Sequence, residues 1–310
     1  MRNTLRSRIT QSDGTLVIVL FAAIPIWMAG HWGDLHRWFC LLACLLAAYL
    51  ILEMNNRCHL MRERSRMMST TFLLLVVCMN FLHDDLRSCL LALSLSTTNF
   101  CLLTAYQQHE SVWKVAAAFL SLGAGVCLFP PLIIFVPVLW FGCQHYVQIF
   151  SFRVWRASLF GLVVPALYAV IFFVWKGLPF PHFEQTYLHL PHYAWPPLSV
   201  MVSISVLLVL ALWSIAHFGR TSFKDNIRAR FSLEMLTMEF YFLLVMAALW
   251  PDNVGCLTAL LITSSAPVIG HYSALAEGRP HGFFFWLFTL VLFALLLFNN
   301  IDLWHLLPTF

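Results

Sequence analysis

Residues 115–146 read VAAAFLSLGAGVCLFPPLIIFVPVLWFGCQHY, and the number of times this stretch traverses a bilayer sets the orientation of everything after it. It is too long for a single crossing, which needs about 20 apolar residues. Phe129-Pro130-Pro131 interrupts it. Two prolines remove two backbone donors, and each pushes the residue before it out of the helical region. The stretch therefore makes either two crossings or one crossing plus a re-entrant piece.

Charge placement separates the two readings. With two crossings and the N-terminus inside, only Arg37, Arg87 and Lys176 of the 18 Lys and Arg lie outside, and the other 15 are cytoplasmic. With one crossing everything downstream flips and the partition becomes 9 to 9. Short loops rich in Lys and Arg stay cytoplasmic, so the two-crossing reading is preferred and the C-terminus lies outside.

The rest of the chain supports a membrane setting. Of its 310 residues 61% are hydrophobic and 10% charged, and mean hydropathy is +0.80. A soluble domain carries about a quarter charged residues. The apolar residues form blocks rather than alternating, which excludes spanning strands. Eleven blocks are read as spans: 15–30, 38–54, 67–82, 86–106, 115–129, 131–146, 157–175, 198–218, 232–250, 256–275 and 282–298. Several are short, so flanking Arg, Trp and Tyr must complete them. The expectation is an all-α, polytopic bundle of about eleven spans, one transmembrane domain over 1–310, with its longest outer loop at 176–197.

The N-terminal MRNTLRSRIT followed by an apolar run resembles a secretory signal. The run closes on IPIWMAGHWG, with bulky residues where cleavage needs small ones, so an uncleaved first helix is expected. Nine cysteines occur without a C-x-x-C pair, which supports neither a disulfide framework nor a thiolate metal site. They read as small apolar fillers, Cys40 and Cys44 sharing one helix face. The net charge of +4 gives no reason to expect nucleic acid.

The outer face collects acids and imidazoles. His182, Glu184, His189 and His192 in PHFEQTYLHLPHY form the densest cluster and the weak candidate for a divalent cation, although no standard zinc spacing is met. The alternative is an interfacial loop with Phe180, Phe183, Tyr187, Tyr193 and Trp195 at headgroup depth. Asp84 and Asp85 in HDDLR could hold a phosphate-bound Mg²⁺ or Mn²⁺, or could complement the start of the helix at Leu86; capping is the preferred reading. Asp34 in GHWGDLHRW is expected to be a turn acid.

Glu234 and Glu239 open the ninth block. Glu234 is expected to pair with Arg228 or Arg230 at the boundary. Glu239 lies deeper, where an ionisable group is costly; it too is read as a partner of Arg228 or Arg230, with a coupling role as the alternative. The polar middles LSLSTTNF and ITSSAPVIGHY are read as close-packing helix faces, as is the pair Ser121 and Gly125.

The stretch LGAGVCLFPPLIIFVPVLWFG, then FRVWRASLFGLVVPALYAVIFF with its G-x-x-x-P from Gly161 to Pro165, then SAPVIGHYSALAEGRPHGFFFW, resembles a bacterial multi-pass inner-membrane family, a domain of unknown function. The resemblance implies a bacterial inner membrane and supplies no catalytic residues. Asp34 invites a weaker comparison with polytopic glycosyltransferases that use lipid-phosphate sugars and carry an essential acid in the first outer loop; here that loop is far shorter.

The leading expectation is a structural, accessory or envelope-assembly subunit without a cofactor, in contact with lipid and other membrane subunits. One alternative is a lipid-linked-sugar glycosyltransferase using Asp34, Asp84 and Asp85. The other is a small-solute or proton-coupled transporter using Glu239 and the polar helix middles, against which the lack of a detectable inverted repeat counts.

Overall fold

The computed structural model describes residues 10, 12, 14–29, 31–63, 65–108, 111–149, 151–176, 196–275 and 279–300. Among them the chain is all-helical, without a strand. The α-helices are α1 Gly14–Trp27, α2 Leu35–Cys58, α3 Met67–Cys78, α4 Leu86–Thr104, α5 Val112–Leu128, α6 Val136–His145, α7 Phe152–Lys176, α8 Leu198–Thr221, α9 Ile227–Leu249, α10 Val254–Leu275 and α11 Arg279–Asn300. Seven of these segments are long and apolar enough to cross a membrane: α2, α4 and α7 to α11. α1, α3, α5 and the segment containing α6 are apolar but only 10–17 residues long. Each apolar block of the sequence has become a helix, but length alone qualifies seven as spans, because a 12-residue helix such as α3 covers only about 18 Å.

Helix starts follow local chemistry. Asp34 is extended and accepts the His36 N–H at 2.9 Å, so α2 begins at Leu35. Asp85 does the same for α4 through the Arg87 N–H. α8 begins directly after Pro196-Pro197, with Pro197 itself still extended at φ −49° and ψ 145°.

The decisive stretch does break at its prolines. α5 ends at Leu128, Phe129 turns its N–H back to the Gly125 carbonyl, and Pro130–Phe135 forms a 3-10 turn leading into α6. The chain then returns to the level where it began. The Gln107 N–H, just past α4, donates to the Val147 carbonyl just past α6 at 3.0 Å, while Lys114 at the start of α5 donates to the Thr104 carbonyl. At the other end, Arg87 at the start of α4 reaches the Leu128 carbonyl at 2.6 Å. Residues 112–146 thus run out and back.

The same alternation sorts the other helix ends onto two faces. On one, the Asp84 face, Trp27 stacks on His83, Arg37 pairs with Asp84, and Asn299 donates to the Cys78 carbonyl and to Ser203. These contacts gather the end of α1, the starts of α2, α4 and α8, and the ends of α3 and α11. On the opposite, Asp225 face, Asn55 donates to the Ser65 carbonyl, Arg228 to the Leu103 carbonyl, and Asp225 meets Arg62 and His271.

α10 is the axis of the bundle. It packs against α3, α4, α8 and α9, and 89% of its spanning window is buried. Gly270 lets it touch α3 backbone to backbone beside Met68. α7 and α11 are peripheral, with only 11% and 22% of their windows buried. Phe160, Tyr168, Ile171, Phe283 and Phe293 stand exposed there. Large apolar side chains in such numbers face lipid, not water.

Small residues interlock the helices, as the polar-middle motifs suggested. Ser94 and Ser121 donate to each other's backbone carbonyls across α4 and α5, and Thr98 reaches the Ala118 carbonyl. Gly161 of the G-x-x-x-P motif lies on the backbone of Ala116 and Leu120, and Gly123 faces the ring of Pro165. In α10, Thr263, Ser264 and Ser265 donate to carbonyls of their own helix, which allows hydroxyls in an apolar core. All nine cysteines are free thiols, Cys40 and Cys44 both buried.

Candidate functional site

The sequence nominated the acids around Asp84, and the fold sets the start of α2, which follows Asp34, against Asp84. Asp84 forms a two-pronged ion pair with Arg37, the second bond 2.7 Å long, and its backbone carbonyl contacts the His36 imidazole at 3.0 Å. Asp85 accepts from the Arg87 N–H and from the Ser88 hydroxyl. Asp34 caps α2. Capping is therefore the role found for Asp34 and Asp85, while Asp84 neutralises Arg37 instead. Each acid has a structural partner, and the Asp84 side chain remains 59% exposed. Asp252 is exposed in the turn before α10.

His83 lies beneath this cluster, fully buried and stacked on Trp27 with ring centroids 3.9 Å apart. Its ring faces the carbonyls of Val76 and Val77 without a well-formed hydrogen bond. Burial, reinforced by Arg37, pushes its pKa down to about 4, so the imidazole is neutral at physiological pH.

The cation candidates His182, Glu184, His189 and His192 lie outside the described residues, as do Asp302 and His305. Among the described residues no group of three or more His, Cys, Asp and Glu side chains is placed to hold a metal ion.

Glu239 sits at the middle of α9 and has no exposed surface. It does not pair with an arginine. The Asn99 amide of α4 donates to its Oε2 at 2.8 Å, while Glu239 Oε1 and Asn99 Oδ1 have no hydrogen-bond partner among the described residues. Two acceptors without a donor in the bundle core are an unusual arrangement. Glu234 pairs with Arg230 at 3.2 Å, the boundary role expected of it. Arg228 is used elsewhere: it donates to the Leu103 carbonyl, contacts Cys58 and lies over the Tyr106 ring.

A second buried acid went unnoticed in the sequence. Asp225, between α8 and α9, is 1% exposed at its side chain, with Arg62 at 2.8 Å and His271 of α10 at 3.2 Å. His271 is itself 3% exposed, with Phe218 edge-on to its ring. Burial alone would raise the Asp225 pKa, but His271 and Arg62 outweigh it and hold the carboxyl below its ordinary value. The available signal was a lone acid in an otherwise basic turn, GRTSFKDNIRAR.

No protein-family model, curated protein or solved structure matches the chain.

Proposed function

We propose that the chain is an eleven-pass protein of a bacterial inner membrane, N-terminus cytoplasmic and C-terminus outside, serving as a structural or accessory subunit of the envelope. The alternating faces of the bundle support the pass number, since an out-and-back path over 112–146 is what the 15-to-3 charge partition requires. α3 is short but enclosed by neighbouring helices, so it need not match the bilayer thickness by itself. The observation behind the accessory role is that Asp34, Asp84 and Asp85 already serve as caps and as an ion-pair partner. The same contacts weigh against a lipid-phosphosugar enzyme built on those acids.

Orientation is tested by single cysteines in a background cleared of native ones. One near Gln185 should react with an impermeant thiol reagent in intact cells and one near Arg228 should not; the reverse pattern overturns the orientation. For the accessory role, a photocrosslinking residue at Tyr168, exposed on α7, should trap a discrete protein neighbour in native membranes. Adducts with lipid alone would remove that role.

A second reading, proton-coupled transport, rests on the Glu239 and Asn99 pair. If the pair is only structural, Glu239→Gln keeps a side-chain bond to Asn99 and most of the stability. Glu239→Leu leaves the buried amide unpaired and loses about 2 kcal/mol. Coupling requires more: vesicles containing the protein should acidify an entrapped dye under an imposed potential, and Glu239→Gln should abolish this. Acidification no faster than in protein-free vesicles removes the transport reading.

A further inference from the structure

α8, α10 and α11 enclose an elongated groove of about 330 Å³ on the periphery of the bundle. Its walls are almost wholly apolar: Val209 and Trp213 of α8 face Phe284 and Phe288 of α11, with the Trp213 and Phe284 ring centroids 4.7 Å apart. It extends along α8 from Ser205 to Ser214, roughly 13 Å at the helical rise. Tyr272 of α10 closes the end nearest the Asp225 face and meets the edge of His217 at 4.8 Å.

Beyond that end the chemistry changes sign. Arg220 lies seven residues after Trp213, two helical turns along the same stripe of α8. Lys224 follows in the 3-10 turn, with its ammonium over the Phe223 ring. Both are exposed, and neither forms an ion pair among the described residues. Asp225, the acid next to them, is turned inward to Arg62 and His271.

We propose that this groove and its two cations form a binding site for an anionic phospholipid, one acyl chain lying between α8 and α11 and the phosphate held by Arg220 and Lys224. An apolar trough open to the bilayer fits a hydrocarbon chain, and a basic pair at one end distinguishes an anionic headgroup from a zwitterionic one. A soluble phosphate would need only the cations, and a second protein helix would not need the cations at all. The site rests on the membrane reading, and the orientation proposed above places it in the cytoplasmic leaflet.

The test uses the intact protein in detergent with dioleoylphosphatidylglycerol or dioleoylphosphatidylcholine added, and bound lipid counted by native mass spectrometry. Two cations give an expected preference for the anionic lipid of about thirtyfold, at the usual increment per basic residue. Arg220→Gln or Lys224→Gln alone should reduce it to about fivefold, and the double variant should bind both lipids equally. Val209→Trp, which fills the groove from its exposed side, should weaken retention of both lipids while leaving the thermal midpoint of the lipid-free protein unchanged. Equal binding of both lipids by the wild type overturns the site, as does a preference that survives the double variant. So does undiminished binding in Val209→Trp. A reversed topology in the cysteine experiment would move the site to the other leaflet without changing any of these micelle results.

Discussion

Replacing Asp225 with alanine should destabilise the detergent-solubilised protein by about 3 kcal/mol, read as a fall in its thermal midpoint. The carboxylate is the shared partner of Arg62 and His271, and the His271 ring is as buried as the acid. Removing one member of a buried ionic group costs more than the pair contributes, because the remaining polar groups keep their desolvation cost without compensation. Arg62 is 38% exposed and can turn to water, which places the effect at the lower end of the range. The pH dependence follows from the depressed carboxyl. A folded-state pKa below the unfolded value means that the stabilisation is fully present above about pH 4. It is lost as pH falls through the folded value. The gap between wild type and Asp225→Ala should therefore be constant from pH 5 to pH 7 as far as Asp225 is concerned, and close under stronger acid. A variant within about 0.5 kcal/mol of wild type at pH 7 would show that the contact is not a tether.

Legibility of the fold tracked how local each determinant is. Asp85 announces its role by position, since it directly precedes the apolar run from Leu86 and an N-cap acts within three residues. Asp34, separated from its apolar block by His36 and Arg37, was legible only as a turn acid. Pro130 and Pro131 act on their own backbone, so the break after α5 could be placed from the sequence. The basic loops likewise carried the relative direction of the helices. Pairings across the bundle left no such trace. Asp84 and Arg37 lie 47 positions apart, and Asn99 and Glu239 140 apart. Nothing near Glu239 distinguishes a carboxyl that bonds an amide on α4 from one that returns to Arg228. That some blocks are short was visible in the sequence, but why α3 can stay short was not: it is buried among neighbouring helices, a property of the assembled bundle and not of the segment.

The final expectation concerns Gly270, where a single methyl group should be enough to displace a helix. A Cβ there would lie 2.6 Å from Met68 Cα, 2.8 Å from Met68 N and 3.0 Å from the Met67 carbonyl carbon. All three are backbone atoms of α3, so no rotamer change can relieve the overlap. At Gly125 the nearest atom is the Ser94 hydroxyl, a side chain that can turn away. Gly270→Ala should therefore cost about 3 kcal/mol, the upper end of the overpacking range. Gly219 provides the control: among the described residues nothing lies within 4 Å of its Cβ position, so Gly219→Ala in α8 should be neutral or stabilising by about 0.5 kcal/mol through helix propensity. If both substitutions have the same small effect, α3 and α10 do not approach this closely. The two large effects should also be coupled. Gly270 immediately precedes His271 on α10, so a shift that separates α3 from α10 also moves the imidazole away from Asp225. The double variant Gly270→Ala with Asp225→Ala should then lose less than the sum of the single losses, by about 1 kcal/mol. Strict additivity would mean that α3 gives way while α10 stays in place.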